Sequence, residues 1–154
     1  MLEPEQLKKI PLFSSLETAQ LVQLAALAEE HRYGAGEKIF AEGDPGDRLF
    51  LIIEGRVRLS KIIPGVGEEA LSIAEQGDHF GEMALIDEAP RSAHAIAHSD
   101  VLLASIDRSS FEHLLFVNRD LAHDVLWSFV RTMSRRLRET NDKIKSFFAM
   151  TGGF

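Results

Sequence analysis

The stretch Gly36–Val57, GEKIFAEGDPGDRLFLIIEGRV, alternates short apolar runs with glycine-containing turns. Glycine permits positive φ, and the Asp-Pro-Gly tripeptide at Asp44–Gly46 favours a tight turn, so the flanking runs are predicted to be hairpin strands. One of these runs, Leu49–Ile53, is apolar at every position, which indicates a strand covered on both faces. This stretch therefore predicts a fold built from short antiparallel strands.

The same alternation of apolar runs and glycine turns extends over residues 34–107. The runs predicted to form strands are Lys38–Ala41, Leu49–Ile53, Val57–Ile63, Ala70–Ala74, Ala93–Ala97 and Val101–Ile106. Short strands at this spacing are typical of an antiparallel β-roll of the jelly-roll type, a double-stranded β-helix. Because no linker or internal repeat interrupts the sequence, we expect one domain over residues 1–154, mainly β with flanking helices.

An N-terminal helical part is predicted over residues 5–33. Within it, leucines recur at helical spacing from Leu16 to Leu27, which indicates a short amphipathic helix. Ser14 and Ser15 stand just before that helix, and serine is a favoured N-cap residue, so these two are its candidate caps.

Residues 109–149 are predicted to form two C-terminal helices with a break at Asn118. The first covers Ser109–Val117, and the serines at its start are its candidate caps. The second runs from about Asp120 to Phe148 and is therefore much longer than an ordinary globular helix.

Composition excludes several classes of function. The net charge of −7 argues against a surface built to bind nucleic acid, which normally carries a basic excess. The absence of cysteine removes thiol catalysis, thiolate metal sites and disulfides, and it fits a reducing compartment. No segment approaches 18 consecutive apolar residues, so a soluble, cytoplasmic protein without membrane contact is expected.

Turn chemistry does not explain the stretch Phe80–Ala93, F-G-E-M-A-L-I-D-E-A-P-R-S-A. Residues 81–86 suggest a single helical turn beginning at a glycine, and a helix that short is not stable alone. A bound anion supplies a reason for it, because the first turn of a helix presents unpaired N–H groups. Gly81 allows close approach of a ligand to the backbone, and Arg91 adds a charged planar fork suited to phosphate oxygens.

Glu82 completes a ribonucleotide site in this interpretation. A carboxylate repels phosphate but accepts hydrogen bonds from hydroxyl groups, such as a ribose 2′-hydroxyl. Glu82 for the sugar and Arg91 for the phosphate would then be held by one loop. The alternative is that the two side chains form only a surface ion pair, worth at most about 1 kcal/mol.

The pattern F-G-E-M-A-L-I-x3-P-R-S-A resembles the phosphate-binding cassette of the cyclic nucleotide-binding domain family. The resemblance extends to P-L-F-S-S-L near the N-terminus, to G-x-x-I-F-x-E-G-D-x-G-D at Gly36–Asp47, and to Leu49–Val57, and covers about residues 7–149. It implies that Glu82 binds the ribose 2′-hydroxyl and Arg91 the phosphate. It also implies contacts to the sugar-phosphate from the residues Gly81, Met83, Ala84, Ser92 and Ala93.

The resemblance assigns base recognition to the long helix. The tract Met133–Lys143, M-S-R-R-L-R-E-T-N-D-K, resembles the part of the family's bacterial activators in which a threonine receives the adenine amino group. Thr140 matches that threonine, and Asn141 matches the residue that reaches the partner subunit's pocket. Ser92 weakly resembles the threonine of cGMP-selective relatives. We therefore expect cAMP, with cGMP as the alternative ligand, and no other cofactor.

The long helix also predicts a parallel homodimer. Apolar residues with a single polar exception follow a 4-3 spacing, namely Leu126, Val130, Met133, Leu137, Thr140, Ile144 and Phe147. This is the heptad spacing of a two-stranded coiled coil. The alternative is that the stripe packs on the chain's own β-roll, although Leu121, Val125 and Phe129 form a second apolar line that could do so.

Other polar residues are given structural interpretations. The arginines at positions 131, 135, 136 and 138 are interpreted as a solvated helix face, partly paired with Glu139 and Asp142, rather than as a DNA-binding surface. No helix-turn-helix segment follows the long helix, so direct DNA binding is not expected. His94 and His98 lack a third ligand at metal spacing, so no metal site is predicted. No catalytic triad pattern is present, and an enzyme is not expected.

Together these features predict a stand-alone cyclic-nucleotide sensor whose C-terminal helix relays binding to a protein effector that the sequence does not identify. Two alternatives remain at this stage. One is a constitutive dimerisation or scaffold module that keeps the fold without a nucleotide response. The other is a sensor fragment of a larger transcription factor or channel.

Overall fold

The computed structural model describes residues 2–152. The helices are α1 (Pro4–Lys8), α2 (Thr18–Ala25), α3 (Arg108–Val117) and α4 (Arg119–Met150), with 3-10 turns at Pro11–Phe13 and Glu82–Leu85. The strands are β1 (Glu29–Tyr33), β2 (Lys38–Phe40), β3 (Arg48–Glu54), β4 (Val57–Ile63), β5 (Gly67–Ala74), β6 (His79–Phe80), β7 (His94–Ala97) and β8 (Val101–Asp107). No helix within these residues is long and apolar enough to span a bilayer.

The strands form two four-stranded antiparallel sheets, in the orders β1-β8-β3-β6 and β2-β7-β4-β5. The predicted β-roll with helices at both ends and a long final helix is thereby confirmed. Neighbours in each sheet are mostly distant in sequence, so the two sheets are interleaved as a jelly-roll requires. Among the strands of residues 2–152, only the β4–β5 pair is joined by a tight hairpin, whose exposed turn includes the glycine at position 65.

Strand β3 is buried on both faces, as its uninterrupted apolar sequence predicts. Leu49, Leu51 and Ile53 belong to one core cluster, which also contains the N-terminal helices and the start of α4. Phe50 and Ile52 belong to a second cluster between the two sheets. Since successive side chains of a strand point to opposite faces, a single strand fills two cores and joins the helices to the β-roll.

The first strand begins earlier than predicted. Residues 29–33 were expected to belong to the N-terminal helical part, and they instead form β1, which pairs with β8 from Glu29↔Ser105 to Tyr33↔Val101. The sequence EEHRY has no apolar alternation, so the pairing with β8, about 70 residues away, decides its conformation.

The serines predicted to cap α2 and α3 do not do so. At α2 the backbone N–H of Glu17 donates to Gln20 Oε1 at 2.9 Å, the reciprocal half of a capping box. At α3 the carboxylate of Asp107 accepts from the backbone N–H of Ser110 at 2.9 Å. In both cases the N-cap is a nearby acidic residue, Glu17 for α2 and Asp107 for α3. A carboxylate at this position also interacts favourably with the positive end of the helix.

Helix α4 places buried residues in the hydrophobic core only over its first half. Leu121, Val125 and Phe129 are almost fully buried, as the second apolar line predicts. The hydroxyl of Ser128 also donates to the carbonyl oxygen of Leu12. From residue 133 to residue 152 no residue is buried, so the later turns of α4 lie along the surface of the body or extend beyond it.

Gly55 is required by the turn between β3 and β4. Its φ is +89°, and a Cβ at this position would lie 2.7 Å from Val101 Cγ1 and would overlap the carbonyl oxygen of Asp100. Gly36 has nearly the same φ, +88°, but a Cβ there would meet nothing within 4 Å. A side chain would therefore cause backbone strain at both positions but steric overlap only at Gly55.

We predict that Gly55→Ala lowers the free energy of unfolding by about 3 kcal/mol, from backbone strain plus the clash. Gly36→Ala should lower it by about 1 kcal/mol, from strain alone. Chemical denaturation of both variants beside the wild type measures the difference. Equal losses would contradict the close approach at Gly55.

Candidate functional site

Gly81 is the pivot of the stretch predicted to hold a ligand. It follows β6 with φ +76° and precedes the turn Glu82–Leu85, so the predicted helical turn is present in 3-10 form. A Cβ on Gly81 would lie 2.5 Å from Arg91 Nη1 and 3.3 Å from the carbonyl oxygen of Arg48. Glycine is therefore needed both for the backbone conformation and for the position of the Arg91 guanidinium.

Arg91 is buried, with only 8% of its surface exposed. Its Nη2 donates to the carbonyl oxygen of Arg48 at 2.9 Å, and its guanidinium carbon lies 4.3 Å from the centre of the Phe40 ring. Its Nε has no hydrogen-bond partner, and no ion pair among the described residues includes it. Burial lowers the pKa of Arg91, a shift that the charge of Asp47 opposes. An arginine remains charged at neutral pH nonetheless, so it retains capacity for an anion.

Glu82 is buried as well, with 4% exposure. Its Oε1 contacts Arg136 Nη1 from α4, and its Oε2 lies 3.8 Å from His79 Nε2. The alternative of a surface ion pair between Glu82 and Arg91 is wrong, because both side chains are buried and each has other partners. The interpretation of Arg136 as part of a solvated helix face is also wrong, since its guanidinium compensates the buried carboxylate.

His79 completes the group around Glu82. Arg136 Nη2 lies 3.2 Å from His79 Nε2, and the imidazole is buried. Burial first, and the positive charge of Arg136 second, lower the pKa of His79 to about 4. The ring is therefore neutral at pH 7.

A cavity of about 680 Å³ joins these side chains, a size within the ordinary range for small-molecule sites. Eight of the nine residues predicted for the site line it, namely Gly81, Glu82, Met83, Ala84, Arg91, Ser92, Ala93 and Thr140. Asn141 does not line it, and its side chain is exposed on α4. Further contributions come from α4, which also presents Arg135, Arg136, Glu139 and Lys143.

The arrangement suits a ligand that carries both an anionic group and hydroxyl groups. Arg91 and the turn after Gly81 lie in one part of the cavity, where an anion would offset a buried charge that the chain compensates only in part. Glu82, an acceptor, lies next to them. The stripe Arg136–Lys143 on α4 forms another wall, with polar groups able to reach a heterocycle. Among residues 2–152, no group of three or more side chains is placed to hold a metal ion.

Sequence reasoning missed His79 and Arg136. Arg136 lies four residues before Thr140, so the two share one face of α4, and this spacing was the available signal. His79 carried no such signal, because its partner is 57 residues away and the contact depends on how α4 crosses the β-roll.

Comparisons with known proteins show what the sequence and the fold are similar to. The sequence profile described as "Cyclic nucleotide-binding domain" matches residues 30–118. The chain is 31% identical over 140 residues to the CRP-like cAMP-activated global transcriptional regulator of Mycobacterium tuberculosis, which is 91% of this chain and 61% of that protein. The chain thus spans less than two thirds of that regulator.

Two solved structures are similar as well. A cyclic nucleotide-binding domain from Methylobacillus flagellatus superposes with a TM-score of 0.80 at 30% identity, covering 94% of this chain and 81% of that one. The regulatory domain of Toxoplasma gondii PKA, solved with cAMP, superposes with a TM-score of 0.66 at 31% identity, covering 72% and 42%.

The buried His79 predicts a pH dependence of stability. Its pKa is about 4 in the folded protein against 6.5 for the free side chain, so the unfolded chain binds more protons between these values. The free energy of unfolding should therefore fall as the pH drops through that window, by up to about 3 kcal/mol from this group. Chemical denaturation of the wild type and of His79→Gln at several pH values measures the contribution of His79 to the pH dependence of the free energy of unfolding. A variant profile with the wild-type slope would contradict it.

Proposed function

Because the chain belongs to the cyclic nucleotide-binding domain family, we propose that it is a cytoplasmic cyclic-nucleotide receptor that relays binding through α4 to a protein partner. One observation carries the proposal. Glu82 and Arg91 are both buried on the wall of one cavity, they are not paired with each other, and Gly81 leaves the space that the Arg91 guanidinium occupies. A ligand with a phosphate and a ribose would compensate the charge of Arg91 and donate a hydroxyl hydrogen bond to Glu82 at once.

Each part of the ligand has an expected partner. The cyclic phosphate binds Arg91 and backbone N–H groups of the turn that begins after Gly81, where a helix-like turn presents unpaired donors. The ribose 2′-hydroxyl donates to Glu82. The remaining contacts to the sugar-phosphate are assigned to Met83, Ala84, Ser92 and Ala93, which line the same cavity.

The base is expected to meet α4, with cAMP favoured over cGMP. Thr140 lines the cavity one turn beyond Arg136, and Glu139 lies beside it. A carboxylate only accepts hydrogen bonds; adenine presents an amino donor at its 6 position, where guanine presents a carbonyl acceptor. Asn141 is expected to act in the partner subunit's pocket, in line with its place outside the cavity of its own chain.

A second copy of this chain is the expected occupant of the exposed seam on α4. Leu126, Val130, Leu137, Ile144 and Phe147 are each between 48% and 63% exposed. Their heptad spacing, on a helix whose residues after Thr132 are not buried, fits a parallel pair related by twofold symmetry. Thr140 belongs both to this seam and to the cavity wall, so one residue links the ligand to the geometry of the dimer.

The exposed seam also favours the alternative function, a constitutive dimerisation module without a nucleotide response. The receptor predicts a measurable affinity for cAMP and cGMP, whereas the module predicts none. Isothermal calorimetry with both nucleotides separates the two and ranks the bases in one experiment.

We predict that Arg91→Ala weakens cAMP binding by about 100-fold or more, because charged hydrogen bonds to the phosphate are lost. Glu82→Ala should weaken it by about 10-fold or more, from loss of the hydroxyl contact. Arg56→Ala, an exposed arginine outside the cavity, is the matched control and should bind as the wild type does. Calorimetry that detects no heat of binding with either nucleotide in the wild type would overturn the proposal that the chain is a receptor.

We predict that Leu137→Glu converts the dimer to a monomer, since it places a charge in the centre of the apolar seam. Ser146→Glu adds the same charge to the same helix on the side opposite the seam, so it should leave the dimer intact. Sedimentation velocity at micromolar concentration compares them. A wild-type monomer, or a dimeric Leu137→Glu variant, would exclude the seam as the interface.

A further inference from the structure

His79 is a buried side chain that the proposed phosphate, ribose and base contacts do not use. It lies at the start of β6, three residues before Glu82, and only 9% of its surface is exposed. Its Nε2 faces two groups, Arg136 Nη2 at 3.2 Å and Glu82 Oε2 at 3.8 Å. An imidazole enclosed between a guanidinium and a carboxylate needs a defined protonation state.

The contact with Arg136 determines that state. A guanidinium has donors and no acceptor, so His79 Nε2 accepts the hydrogen bond from Arg136 Nη2. The ring proton is then on Nδ1, and the ring is neutral. The low pKa of His79, about 4, agrees with this assignment. Asp78 and Arg135 are the other charged groups that act on the ring, and they oppose one another.

Two acceptors, Glu82 of the cassette and His79 of β6 just before it, therefore hold one guanidinium from α4. Glu82 Oε1 receives Arg136 Nη1, and His79 Nε2 receives Arg136 Nη2. Together these contacts fix the plane of the guanidinium, which neither could do alone. At 3.8 Å, Glu82 Oε2 is beyond hydrogen-bond distance of His79 Nε2 and keeps its lone pairs for another donor.

We propose that His79 is a positioning residue of the sugar subsite: its neutral imidazole holds Arg136 against Oε1 of Glu82 and leaves Oε2 for the ligand's 2′-hydroxyl. The inference rests on the proposed function and deepens it. A side chain that cannot accept at this position would free the guanidinium to rotate and to cover both carboxylate oxygens. The 2′-hydroxyl would then compete with a full bidentate ion pair, whereas the phosphate contacts would be unaffected.

The experiment compares cAMP with 2′-deoxy-cAMP, which lacks only the hydroxyl. Both affinities are measured by calorimetry for the wild type, His79→Leu and His79→Gln. His79→Leu should weaken cAMP binding by about 3- to 10-fold, the value of one hydrogen bond, and leave the affinity for 2′-deoxy-cAMP nearly unchanged. His79→Gln keeps an acceptor oxygen and should retain most of the wild-type preference. His113→Leu, an exposed histidine of α3, is the matched control.

Each outcome decides the inference. Equal losses for the two ligands would mean that the imidazole serves only the fold, and a Gln variant as weak as the Leu variant would exclude the acceptor role. A wild type that binds neither ligand would overturn the proposed function and this inference with it.

Nitrogen NMR of the wild type gives a test that needs no variant. A neutral ring with its proton on Nδ1 at pH 7 is expected, and a proton on Nε2 would overturn the assignment.

Discussion

The site is organised by the cost of burying charge. An isolated ion in a protein interior is strongly unfavourable unless another charge or a set of dipoles compensates it. Arg91 and Glu82 are nine positions apart in the sequence and both are buried, yet they do not compensate each other. For Arg91 the compensation within the chain is partial: the carbonyl oxygen of Arg48, the face of Phe40, and the more distant charge of Asp47. This compensation is incomplete within the chain, and under the proposed function a bound phosphate would complete it.

The buried carboxylate is compensated differently, and this difference joins the cassette to α4. Glu82 finds its counter-charge in Arg136, a residue of a separate element. The position of α4 relative to the β-roll therefore contributes to the energy of the buried carboxylate, and a ligand that engaged Glu82 as proposed would act on α4 as well. Binding would shift α4 only by the difference in the ligand's affinity between two positions of the helix.

The parts of this structure that could be predicted from sequence are those decided locally. The apolar run Leu49–Ile53 must be covered on both faces whatever surrounds it. Gly81, Glu82 and Arg91 lie within one short stretch, so their residue types and spacing could be recognised without knowing the fold. Strand β1 was missed because its polar sequence becomes a strand only by pairing with β8. His79 and Arg136 were missed for the same reason, because they are 57 positions apart in the sequence. No local sequence pattern predicts where β6 and α4 come into contact.

The same helix face explains why ligand and dimer would be coupled. Along α4 the cavity stripe runs through Arg136, Thr140 and Lys143, and the apolar seam runs through Leu137, Thr140 and Ile144. The two stripes overlap at Thr140, so they occupy adjacent sectors of one helix rather than opposite sides. A rotation of α4 that improves contact with a base must also turn the seam. Because a packed helix pair tolerates only discrete registers, a small rotation at the site would select between dimer arrangements rather than deform one continuously.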